Sequence, residues 1–145
     1  MNFSRTATIN WKGGIMDGGG EAKAGSGAFS LPVSFPKRIG NAEGTTSPEE
    51  LIAAAHATCY AMVMAGALGK GNASADTSTV TCTVTAEKTD AGIKIVSSNL
   101  GIEVTGLKGM DADTFHETAK AAEGKCPVSN ALRGSLQITV EPKVN

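Results

Sequence analysis

From Thr79 to Glu87 every second residue is apolar: Val80, Cys82, Val84 and Ala86 share one face and threonines take the other, which predicts a strand with one buried side. After the turn Thr89-Asp90-Ala91-Gly92, Ile93–Val104 reads as its antiparallel partner. Earlier in the chain, Thr6–Trp11, Gly20–Lys23 and Ala28–Pro32 form three shorter strand patterns. They are separated by the glycine-rich turns Gly13-Gly14 and Gly25-Ser26-Gly27. Towards the C-terminus the period lengthens to that of a helix over Asp111–Glu123. A short helix follows over Val128–Leu132, then a closing strand over Ser135–Glu141.

The middle of the chain obeys neither period. Leu51–Leu68 is apolar almost throughout. Its start is strongly specified, with Ser47 as N-cap, Pro48 at the first helical position and Glu50 placed to complete a capping box. The stretch approaches the length of a membrane span, but it is mostly alanine and carries His56 and Thr58 near its centre. A helix apolar on every side is expected to be buried core, covered by sheet and by a second subunit. The order of elements is therefore α+β, not an alternating β-α-β series, in one expected domain spanning residues 1–145.

Composition removes several function classes. A net charge of −1, from 13 basic and 14 acidic residues, provides no field for nucleic acid or an anionic membrane. Three cysteines without paired C-x-x-C clusters fit neither a disulfide framework nor a zinc site. The first ten residues have no apolar run behind their positive charge, so neither a signal peptide nor a transit sequence is expected, and a reducing cytoplasmic setting fits best.

Cys59, in the middle of the apolar helix, is the first candidate for chemistry. Burial disfavours a thiolate, and Cys59 lies too far from the helix N-terminus for the macrodipole to help, so a cation must reach it. The candidates are Arg38, in Phe35-Pro-Lys-Arg-Ile-Gly40, and Glu49 to hold it. At about 100° per residue, Glu49 lies about 80° from Cys59 around the helix and Glu50 about 180° away, so Glu49 alone can face the thiol's side. The same projection puts Ile52, Ala55, His56, Met62 and Val63 beside Cys59. Ile52, His56 and Met62 are the candidate substrate contacts on this mostly apolar wall.

Cys126 stands immediately before Pro127, at the expected N-cap of the short helix, where free N–H groups and Lys125 favour a thiolate. Cys82, flanked on its face by Val80 and Val84, reads as core packing.

Two blocks carry a family resemblance: Thr45-Thr-Ser-Pro-Glu-Glu-Leu-Ile-Ala-Ala-Ala-His-Ala-Thr-Cys59 and Cys126-Pro-Val-Ser-Asn-Ala-Leu132. Together, at this separation, they resemble the OsmC/Ohr family of bacterial peroxide-detoxifying proteins, and the likeness spans essentially the whole chain. The organic hydroperoxide resistance branch takes its site arginine from the loop after the first strand, where this chain has only Gly13-Gly-Ile-Met-Asp-Gly-Gly-Gly20. The osmotically inducible OsmC branch takes it from the loop before the central helix, and Arg38 matches that position.

The resemblance implies the OsmC-like fold, curved antiparallel sheets wrapped around a long buried helix in an intertwined homodimer with sites at the interface. It implies a thiol peroxidase acting on organic hydroperoxides, with no metal or organic cofactor. In that scheme Cys59 is oxidised to a sulfenic acid and Cys126 resolves it as a disulfide. An external dithiol, by resemblance a lipoyl-bearing protein, completes the cycle. Two other readings of the same residues are a Cys59–His56 nucleophile for acyl transfer, and a non-enzymatic redox sensor or binder of small apolar ligands.

Overall fold

The expected alternation becomes a long hairpin: β4 (Thr77–Thr89) and β5 (Gly92–Thr105) pair antiparallel from Thr77↔Thr105 to Thr89↔Gly92, with a register shift at Thr85/Ala86. The turn between them needs Gly92, whose φ of +121° lies in a region closed to most side chains. Along β5, Ser98, Leu100, Ile102 and Val104 are buried in strict alternation. The closing strand β6 (Gln137–Val144) adds to β5 in parallel, Ser97↔Gln137 to Val104↔Val144, which departs from the wholly antiparallel expectation. A parallel neighbour requires a crossover, and helices α3 (Ala112–Glu123) and α4 (Pro127–Leu132) provide it.

The computed structural model describes residues 1–145 and resolves two compact units, Met1–Leu51 and Ile52–Asn145. In the first, β1 (Ala7–Lys12), β2 (Gly19–Ala24) and β3 (Ser30–Val33) form an antiparallel sheet in sequence order. One element lies where only a loop is expected: helix α1 (Phe35–Ile39), entered through Ser34 and carrying Pro36 in its first turn. Pro fits there because its missing N–H has no intrahelical acceptor to lose. Ala22 is the buried apolar residue of this unit, while Ile9, Trp11, Ile15 and Met16 are exposed by 41 to 63%.

Helix α2 (Pro48–Lys70) starts at the expected cap, with the Glu50 N–H donating to Ser47 Oγ at 3.1 Å. The second half of the capping box is replaced: the Glu50 carboxylate accepts from Thr46 Oγ1 at 2.9 Å.

In the second unit, α2 buries His56, Tyr60, Met64 and Leu68, four residues apart and so on one stripe. Cover on every side is not found within the chain. Ala54, Ala55, Thr58, Ala61, Met62 and Ala65 are exposed, Met62 by 70%. By length and composition α2 could cross a membrane, but its stripe joins the core of Leu100, Ile102, Val104, Phe115, Ala119, Ala122 and Cys126. Each large apolar side chain buried there contributes roughly 1.5–3 kcal/mol. Tyr60 adds a direction to the packing by donating its hydroxyl to the Ala119 carbonyl of α3 at 2.7 Å.

Candidate active site

The second unit brings Cys59 and Cys126 together although 66 intervening residues separate them in sequence. Cys126 is the N-cap of α4, completely buried, and its Sγ accepts weakly from the Ser129 N–H at 3.5 Å. Cys59 is half-buried on α2 and packs against the core cluster that contains Cys126, near enough to that thiol and to the Val128 N–H for both to act on its pKa. Both sulfurs are free thiols. Burial pushes the Cys59 thiol above its ordinary pKa. The Val128 N–H works against that, while the hydrogen bond and charge of Cys126 add to it. Cys59 therefore needs a positive partner before it can attack anything at neutral pH.

The candidate cation and its carboxylate lie in the first unit. Arg38 sits in the last turn of α1 and Glu49 in the first turn of α2. Arg38 Nη2 donates to Glu49 Oε1 at 2.6 Å, and Nε lies 3.1 and 3.2 Å from the two carboxylate oxygens. The side chains are only 26% and 15% exposed. The hydrogen bond from Arg38 holds the Glu49 carboxyl below the usual range, and the same bond raises the guanidinium further. The result is a fixed cation with its fork oriented.

Arg38 also borders a cavity of about 240 Å³. Ile9 and Trp11 of β1, Val33 of β3, Phe35 of α1 and Leu51 are among its walls, and Arg38 is the charged residue that lines it. Sequence reasoning placed the apolar wall on α2 and passed over these residues. The available signal was the alternation of Ile9 and Trp11 on one face of β1.

The three residues expected as a substrate wall fare differently. Ile52 is half-buried and Met62 stands out into solvent. His56 presents no surface: it is completely buried, with Nδ1 2.7 Å from Ser98 Oγ and Nε2 2.6 Å from Ser129 Oγ. Burial lowers its pKa, with the charge of Glu123 opposing, so the ring is held neutral between two hydroxyls. With both nitrogens engaged, it has no lone pair to offer Cys59, and the Cys-His arrangement is removed. Cys82 is half-buried and touches the same network, 3.2 Å from Ser98 Oγ and 3.9 Å from His56 Nδ1. No three His, Cys, Asp or Glu side chains converge as a metal site.

Residues 40–141 match the family described as OsmC-like protein. The chain is 33% identical over 144 residues to peroxiredoxin OsmC of Escherichia coli strain K12, covering 99% of both. It superposes on the crystal structure of the organic hydroperoxide resistance protein OhrB of Bacillus subtilis with a TM-score of 0.75 at 25% identity, over 97% of this chain and 98% of the other. An organic hydroperoxide resistance protein from Elizabethkingia anophelis shares the fold at a TM-score of 0.79 and 22% identity, over 100% and 99% of the two chains. The α+β fold, with one cysteine on the central helix and the other capping a short helix packed near it, agrees with these matches, and the chain belongs to the OsmC-like family.

Proposed function

We propose that this peroxidase reduces organic hydroperoxides through a sulfenic acid on Cys59 and a Cys59–Cys126 disulfide. The observation that carries the reading is the closeness of two free thiols, one half-exposed and one sealed in the core. A half-exposed sulfur can meet a peroxide, and its buried neighbour can meet only that sulfur.

The Cys59 thiolate attacks one peroxide oxygen. The O–O bond breaks, the sulfur is oxidised by two electrons, and the other oxygen leaves with a proton as an alcohol. Cys126 then attacks the sulfenic sulfur, so that the S–O bond breaks, water leaves with the thiol proton, and an S–S bond forms. An external dithiol returns both cysteines to thiols by exchange. Arg38 has the role of the cation that lowers the Cys59 pKa and binds peroxide oxygen, and Glu49 orients it. The apolar cavity bordered by Arg38 supports a substrate with an organic tail.

By family resemblance the working unit is a homodimer and the reductant a lipoyl-bearing protein. Exposed apolar side chains on β1 and on the outer face of α2 support the dimer, because a monomer seldom leaves so much of this surface in water. The test is repeated consumption of cumene hydroperoxide with dihydrolipoamide as the dithiol. Many turnovers per protein are expected. Consumption that stops after one equivalent would leave a sensor in place of an enzyme.

A further inference from the structure

His56 lies three residues before Cys59 on α2, and Ser129 lies three residues after Cys126 on α4. The 2.6 Å hydrogen bond between His56 Nε2 and Ser129 Oγ therefore ties the two cysteine-bearing helices one turn away from each sulfur. Both side chains are fully buried, so no water competes for the bond. On the far side of the ring Nδ1 lies 2.7 Å from Ser98 Oγ of β5, a bond that does not join the two cysteine-bearing helices. The Ser129 N–H that reaches Cys126 Sγ at 3.5 Å belongs to the turn that this bond holds.

We infer that His56 is a positioning residue for the resolving step, clamping α4 against α2 through Ser129 so that Cys126 stays within reach of oxidised Cys59. This rests on the disulfide reading above. It concerns the second half of the cycle alone. Closing an S–S bond of about 2.05 Å demands a narrow geometry, whereas peroxide attack on Cys59 requires nothing of Cys126. A sulfenic acid left waiting meets a second peroxide and becomes a sulfinic acid, which a dithiol cannot reverse. The clamp thus decides the partition between recycling and irreversible loss.

Ser129→Ala removes the clamp, Ser129→Thr restores its hydroxyl, and Ser98→Ala deletes the other hydrogen bond to the same ring without separating the cysteine helices. His56→Gln fills the space but lacks two opposed ring nitrogens. Each protein is mixed rapidly with cumene hydroperoxide. Sulfenic acid is then trapped with dimedone, and disulfide and sulfinic acid are counted by peptide mass. In Ser129→Ala and His56→Gln, sulfenic acid should form at the unaltered rate and the disulfide roughly tenfold more slowly, the equivalent of about one buried hydrogen bond. Sulfinic acid should rise in excess peroxide. Ser98→Ala and Ser129→Thr should stay near the unaltered partition. Unchanged disulfide rates in both Ser129→Ala and His56→Gln would overturn the clamp alone. Absence of any Cys59–Cys126 disulfide in the unaltered protein would overturn the disulfide reading and the clamp with it.

Discussion

Arg38 and Glu49 meet in a fork, with Nη2 at 2.6 Å from Oε1 and Nε spanning both carboxylate oxygens at 3.1 and 3.2 Å. A lysine ammonium carries the same charge but cannot hold that two-point geometry and aim a free N–H elsewhere. Arg38→Lys is therefore expected to lower kcat/KM for cumene hydroperoxide by roughly a hundredfold, the scale of one lost donor to a developing charge. Steady-state rates with a saturating dithiol measure it. Near-full activity would remove the pair from the chemistry.

The two cysteines should fail in different ways. Cys59→Ser is expected to consume no peroxide above background. Cys126→Ser should consume about one equivalent and then stall as a sulfenic acid that dimedone traps. Single-turnover consumption followed by mass analysis separates the two. Equal turnover by Cys59→Ser and the unaltered protein would exclude Cys59 as the reacting thiol.

His56 predicts a pH dependence of stability. Burial depresses its folded pKa below the ordinary 6.5, so between the two values the unfolded chain binds a proton that the folded chain refuses. Stability then rises with pH in that window and is lost as pH falls from about 6.5 towards the folded value. Glu49, also depressed in the folded state, loses its contribution only as pH falls below its ordinary 4.5. Urea midpoints across pH 7.5 to 5 should fall for the unaltered protein, and His56→Gln should flatten that part of the curve.

Met62 projects from α2 with 70% of its surface exposed, in a row of alanines on the outer face. If a second copy covers that row, Met62→Glu places a carboxylate in an apolar contact and should shift the dimer towards monomer. Sedimentation equilibrium reads the shift. An unaltered chain that is monomeric at all concentrations would dismiss the homodimer.

Local pattern carried most of the elements. Period-two runs located β4 and β5 to within two residues at each end, and Asp111, the first residue of the expected helix, is the N-cap of α3, accepting from the Thr114 N–H at 2.7 Å. The short helix α1 was hidden because five residues are too few for periodicity, although Ser34 and Pro36 were a start signal. Long-range choices were not legible. Nothing local states that β6 joins β5 in parallel. His56 finds its partners 42 and 73 residues further along the chain. Read alone, it looked like a surface contact or a base, because a helical wheel gives direction without saying which side the core occupies. Helix phase singled out Glu49 as the residue to hold Arg38, whereas the pairing of the two thiols was implied only by the family resemblance that the two sequence blocks carry.

The central claim is that a peroxide turns two particular thiols into one bond. One equivalent of cumene hydroperoxide, followed by alkylation and non-reducing peptide mapping, tests it directly. The account predicts a single cross-linked pair containing Cys59 and Cys126, with Cys82 recovered as a free, alkylated thiol. A map in which Cys126 remains free, or in which Cys82 is the partner of Cys59, would contradict it.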